Sequence, residues 1–213
     1  AFTSGESISL AVTASDGSLT AVADLALTIT AAVNDYTLTT PVTFNAANLS
    51  GYAGSHDQGD SYAIENDGET LALNDNHWKR MGLPEDYLIT SNTRITVDIA
   101  IGDVVPELVA VGFDLNEDPM DTDGSIYLLG GTQTPPRLID LRGGGTDLGG
   151  GVMRFEIDLS AHAGKSIDSL VFISDDDRDT GAVGSVSFSN VVLVEDVPAF
   201  EPIVIQAEDG VIT

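Results

Sequence analysis

The densest chemistry-bearing run in this sequence is Ser174-Asp175-Asp176-Asp177-Arg178-Asp179. In an extended segment Asp175 and Asp177 project to one side and Asp176 to the other. Two carboxylates that close repel each other unless a cation or a basic partner offsets them. Calcium, which takes about six to eight oxygens from carboxylates and carbonyls, is the expected cation. Asp57, Asp60, Asp114 and Asp179 are the expected additional ligands from converging loops, with Asn190 supplying an amide oxygen. The alternative is a solvated turn in which Arg178 serves as the local counter-ion.

A second run, His77-Trp78-Lys79-Arg80, holds the single tryptophan of the chain among basic side chains. An aromatic face flanked by hydrogen-bonding groups is what a pyranose ring needs, and the local excess of cations suits an anionic glycan. Tyr52, Tyr62, Tyr87 and Tyr127, with Arg137 and Arg142 in a Gly-rich stretch, complete the candidate ligand-binding set. An indole has enough apolar area to serve equally well as core. A third acidic run, Asp114-Leu115-Asn116-Glu117-Asp118 with Asp121 and Asp123-Gly124, resembles a calcium loop only superficially. Pro119 stands at the sixth position, where an EF-hand turn needs Gly, and the twelfth position lacks the bidentate Glu.

Catalytic signatures are missing. The three histidines, His56, His77 and His162, stand in no nucleophile-elbow or zincin pattern, and no helix follows Gly143-Gly144-Gly145 or Gly149-Gly150-Gly151 to make a phosphate cradle. With 34 acidic residues, any two carboxylates could be nominated as an acid–base pair, so abundance discriminates nothing.

The elements that must position these groups read as strands. The chain has 213 residues, net charge -26 and a hydrophobic fraction of 42%, with apolar residues in alternating runs, so it folds. Eight basic residues against 34 acidic ones exclude a nucleic-acid backbone as partner and disfavour an anionic membrane. There is no cysteine, hence no disulfide or thiolate site. No stretch is apolar over the ~20 residues of a membrane helix. Residues 1–10 lack the basic start and apolar core of a signal peptide, so the chain reads as an internal part of a larger protein.

Strand-like runs fall at 38–44, 61–65, 70–73, 87–90, 94–101, 108–113, 125–129, 152–159, 169–173 and 186–194, punctuated by Gly, Asn and Asp. Acidic or Gly-rich loops are expected at 51–60, 74–86, 114–124, 130–151 and 174–184. No helical periodicity of useful length is present. The expected class is all-β, a two-sheet β-sandwich with its binding groups on the loops. Ahead of it, Ser7 to Thr13 and Asp24 to Thr30 read as a hairpin around Ser15-Asp16-Gly17-Ser18.

The hairpin text, Val12-Thr13-Ala14-Ser15-Asp16-Gly17-Ser18 followed by Leu27-Thr28-Ile29-Thr30-Ala31-Ala32-Val33-Asn34-Asp35, resembles the end of bacterial cadherin-like repeats. That resemblance implies an Ig-type sandwich whose terminal Asn34 and Asp35 help hold junctional calcium; an Asx turn explains the pair without metal. A series in fixed order, His56-Asp57-Gln58-Gly59-Asp60, Glu65-Asn66-Asp67-Gly68, Asn76-His77-Trp78-Lys79, Val111-Gly112-Phe113-Asp114, Leu129-Gly130-Gly131, Phe172-Ile173-Ser174-Asp175 and Phe188-Ser189-Asn190, resembles a jelly-roll carbohydrate-binding-type module of secreted marine bacterial polysaccharidases and adhesins. His56 stands where that pattern has Gln. Ile203-Val204-Ile205-Gln206-Ala207-Glu208 is similar to the opening strand of family 6-like carbohydrate-binding modules.

The expected organisation is therefore residues 1–35 as the end of a cadherin-like repeat, 36–197 as a jelly-roll-like module, and 198–213 as a linker and first strand of a following module. The expected function is a calcium-stabilised, non-catalytic carbohydrate-binding module of a secreted or surface bacterial protein, contacting a polysaccharide and neighbouring domains. A calcium-rigidified spacer of a large adhesin is the first alternative, and a polysaccharide-degrading domain the second.

Overall fold

The computed structural model describes residues 9–15, 17, 20–26, 36–58, 62–115, 125–178 and 181–197. The chain divides into two units, a sandwich over Thr37–Asp196 and a second unit whose described part is one hairpin. The expected sites at Asn34, Asp35, Asp60 and Asp179, and the expected following module at 198–213, lie outside the described residues.

In chain order the strands are β1 (Ser9–Ser15), β2 (Thr20–Ala26), β3 (Tyr36–Pro41), β4 (Leu49–Gly51), β5 (Tyr62–Glu65), β6 (Thr70–Asn74), β7 (His77–Leu88) and β8 (Thr93–Ile101). They continue with β9 (Leu108–Phe113), β10 (Ser125–Gly130), β11 (Ile139–Asp140), β12 (Thr146–Gly149), β13 (Val152–Asp158), β14 (Ser166–Asp175) and β15 (Ser185–Val197). The hairpin pairs β1 with β2 antiparallel, Ser15 opposite Thr20. Residues 7, 8 and 27–30 of the expected hairpin strands lie outside the described residues.

The sandwich is all-β. One sheet runs β11-β10-β9-β14-β7-β4, and the other runs β12-β13-β8-β15-β6-β5, with β3 also paired to β15. Alternate residues of both sheets meet in the core between them. Val109, Val111 and Phe113 of β9 and Leu170 and Phe172 of β14 face Ile95, Val97, Ile99 and Phe188 of the second sheet. Phe172 stands edge-on to Phe44 and Phe188, with ring centroids 5.1 and 5.3 Å apart, and ties the two sheets together.

The residues between those positions make a second apolar face. Leu108, Ala110, Ile126, Leu128, Val171 and Ile173 are buried with Tyr52 and Trp78 in a separate cluster on the outer side of the six-stranded sheet. Cross-strand register places Ile173 opposite both Trp78 and Ala110, on that same face. β9 is therefore buried along its whole length, which explains its unbroken apolar run Leu108-Val109-Ala110-Val111. The cover over this outer face comes from chain beyond the strands: Ala53 and Leu138 pack against the cluster.

Two expected loops hold strands: 130–151 contains the short β11 and β12, and the larger departure is at 74–86. Residues 74–86, expected as a loop, contain most of the long strand β7, and of the expected strand 87–90 only residues 87–88 belong to its end. Its inner face carries His77, Lys79 and Met81 and its outer face Trp78 and Arg80, so neither face is uniformly apolar and the period-two hydropathy signal is lost. The charges are tolerated because partners meet them. Arg80 donates from Nε to the Ser169 hydroxyl at 2.7 Å and from Nη2 to Asp168 at 2.9 Å.

Candidate functional site

The described residues do not fully cover the outer apolar face of the six-stranded sheet. Between the turn at Gly54–His56 and the stretch Pro135–Leu138 lies a cleft of about 440 Å³. Trp78 and Leu108 supply its apolar lining, with Pro135, Pro136 and Leu138 on one side and Ser55, His56 and Gln58 on another. Asn76, Asp175, Asp177 and Arg137 bring polar groups to it. A volume of roughly 300–1,000 Å³ is what small-ligand sites occupy.

Trp78 is 6% exposed, so most of its indole is core. Its ring lies nearly parallel to Tyr52, centroids 6.1 Å apart, and is tilted against His56 at 4.8 Å. The indole N–H donates to Asp175 Oδ1 at 2.9 Å. The Asn76 amide, oriented by its hydrogen-bond network, donates to the same oxygen at 2.9 Å and to the His56 carbonyl at 3.0 Å. Asp175 is thus fixed by two neutral donors at the last position of β14. Burial, with repulsion from Glu107 and Asp176, raises its pKa against the opposing pull of the Trp78 hydrogen bond and of His56.

Glu107 lies behind Asp175 and is 8% exposed. It accepts from the Gln133 amide and from the Asp177 backbone N–H. Asp176 points away, as alternation requires, and takes Arg178 Nε at 2.6 Å and the Gly184 N–H at 2.7 Å. The Arg178 hydrogen bond first, and the Gly184 donor with it, hold Asp176 below the usual carboxylate range. Among the described residues of this run, Arg178 pairs with Asp176.

Asp57 has a different role from a cleft ligand. Its Oδ2 accepts from Lys79 Nζ at 2.8 Å, and its Oδ1 accepts from the Trp78 backbone N–H and meets His77 Nδ1, both at 3.3 Å. Lys79 Nζ also lies 5.0 Å from the centre of the Tyr62 ring, a cation–π contact. Gly51, paired with Lys79 across β4 and β7, makes this possible, since a Cβ there would stand 2.7 Å from Asp57 Oδ2. His77 and Lys79, expected as ligand contacts, therefore face inward as a neutralised buried group.

The other candidates scatter. Asp114 is buried and accepts from the Tyr52 hydroxyl at 2.7 Å. Asn190 lies in β15 of the second sheet and donates to Asp98 Oδ2 at 2.7 Å. Asp98 is buried, which opposes its charge, yet Arg154 and Asn190 keep its pKa low. Tyr127 is in the main core. Arg142 clamps the stretch that carries the cleft wall, bonding Asp140 and the carbonyls of Gly131 and Gln133. That arginine lowers the exposed Asp140 to about 2. Among the described residues no three His, Asp or Glu side chains converge as a metal-holding group, so the described members of the expected calcium set are not assembled together.

Arg137 and Trp78, expected from the sequence, do share the cleft with Asp175 and Asp177. Pro135, Pro136, Leu138, Leu108 and Glu107 went unrecognised; the Pro135-Pro136 pair, which stiffens the chain beside Arg137, was the available signal. His162, away from this group, lies 2.7 Å from the Ser125 hydroxyl and edge-on to Phe113. No protein-family model matches the chain, and no curated protein matches it significantly.

Proposed function

We propose that the sandwich is a non-catalytic saccharide-binding module of a secreted or surface bacterial protein, with the cleft over the outer face of the six-stranded sheet as its binding site. The observation behind this reading is the convergence of an amide, two carboxylates and a guanidinium on an apolar cleft floored by Trp78 and Leu108. Apolar surface with a few fixed polar groups suits a ring that has a hydrophobic face and a rim of hydroxyls. The resemblance to jelly-roll carbohydrate-binding modules points the same way, and the hairpin text is consistent with a cadherin-like neighbour in the same exported chain. Calcium belongs to the proposal on charge grounds, 34 acidic residues standing against eight basic ones.

A second reading, polysaccharide cleavage, is favoured by one observation: Asp175 has a raised pKa and lines the cleft, as a general acid would. One experiment separates the readings. The protein is incubated with an array of plant and marine glycans, and both retention and release of new reducing ends are measured. Retention without release supports the binding module. Sustained release that Asp175→Asn abolishes supports the cleavage reading with Asp175 as its acid, and uniform lack of retention leaves a structural spacer.

A further inference from the structure

All eight Lys and Arg residues of this acidic chain fall in the described part. Six are matched to carboxylates: Lys79 to Asp57, Arg80 to Asp168, Arg94 to Asp196, Arg142 to Asp140, Arg154 to Asp98 and Arg178 to Asp176. Lys165 has interactions of its own. Of the eight, Arg137 alone has no side-chain ion pair or hydrogen bond among the described residues, and it is exposed and lines the cleft. A guanidinium at the edge of the cleft that no described carboxylate matches is a donor fork without its acceptor among the described residues.

We infer that the cleft takes an anionic saccharide, with Arg137 receiving the carboxylate or sulfate of the sugar while Asp175 and Asp177 accept from its hydroxyls. The inference rests on the saccharide-binding reading and adds the charge of the ligand. Guanidinium is planar and offers parallel donors, which match a carboxylate or sulfate edge in two simultaneous hydrogen bonds. The second oxygen of Asp175 remains for a ligand, since Trp78 and Asn76 both bond Oδ1. An amine-bearing ligand would suit the two carboxylates but would meet Arg137 as a like charge. The other basic residues near Trp78 are spent: Lys79 on Asp57, and Arg80 on Asp168.

The test uses the whole chain at about 0.15 M salt, where the long-range repulsion of its net charge is screened beyond ~8 Å. Binding is measured to four groups of oligosaccharides: uronate oligomers, the same oligomers after carboxyl reduction, sulfated oligomers with their desulfated forms, and amino-sugar oligomers. The expected result is tighter binding of a uronate or sulfated series than of its neutral counterpart by roughly tenfold or more, the scale of a charge-assisted hydrogen bond. Which anionic series wins tells carboxylate from sulfate.

Arg137→Gln should erase that difference without moving Tm, since the side chain has no internal partner, and Arg137→Lys should keep only part of it. Equal binding of charged and neutral forms, indifference to Arg137→Gln, or preference for the amino-sugar oligomer would overturn the inference and leave the saccharide reading standing. If no series binds, both fall.

Discussion

Asp57→Asn distinguishes a buried ion pair from a calcium ligand at the same residue. The side chains of Lys79 and Asp57 are 6% and 12% exposed, and the Nζ–Oδ2 distance is 2.8 Å. The change keeps an oxygen for the Trp78 N–H but puts an NH2 donor where Oδ2 accepts from Lys79, so Lys79 loses both its counter-charge and its acceptor. Leaving one member of a buried pair uncompensated costs about 3–5 kcal/mol. The residual exposure of Asp57 argues for the low end, about 3 kcal/mol, which in a chain of this size is roughly 6–12 °C of Tm. Lys79→Met in the same background should restore much of the loss, because two buried charges then leave together and the methionine stem fills the same space. The assay is urea denaturation of the wild type, both single variants and the double variant, with and without chelator. A loss under 1 kcal/mol, or a loss that disappears on chelation, would refute the ion-pair account.

Trp78→Ala should lower stability by about 3–5 kcal/mol, since the indole is packed against Tyr52 and the outer face of the sheet. A melting curve that barely moves would make it an open platform. His162 has its pKa lowered first by burial and then by Lys165. It is neutral in both states above its ordinary value of about 6.5, and as pH falls through that value the unfolded chain takes up the proton first. Stability is therefore present above pH ~6.5 and lost on acidification towards the lower folded pKa; His162→Gln should flatten Tm between pH 7 and 5, and an unchanged slope would place the dependence elsewhere. Calcium should raise Tm, by about 2.7 kcal/mol of stability at a hundredfold excess over Kd. The increment should survive Asp175→Asn with Asp177→Asn, since the described carboxylates of the cleft do not converge on a metal site; its loss in that double variant would place calcium in the cleft. A melting curve indifferent to chelator and calcium would make the acidic loops solvated surface.

The class of fold was legible in the sequence because alternation is a local property. Runs such as Ile95-Thr96-Val97-Asp98-Ile99 carry their burial pattern in their own text, and the structure places them as strand β8 of a sandwich. The continuous run at 108–113 marked a strand but could not say that its two faces enter two different clusters. β7 was illegible for the converse reason: its text mixes aromatic and charged residues, and those charges are tolerable only because Asp57 and Asp168 arrive from distant parts of the chain.

The candidate site divides along the same line. Residue types alone nominated Trp78, Arg137, Asp175 and Asp177, because lone aromatics, basic residues in an acidic chain and alternating carboxylates are visible one at a time. Which of them meet was decided by register and loop placement. Asp57 and Lys79, 22 residues apart, neutralise each other through the gap left by Gly51, while Trp78, one residue from Lys79, points to the opposite face of the same strand. Local text specifies what each side chain can do, but charge is cancelled or left free by neighbours in space, and those neighbours exist only after the sheets have paired.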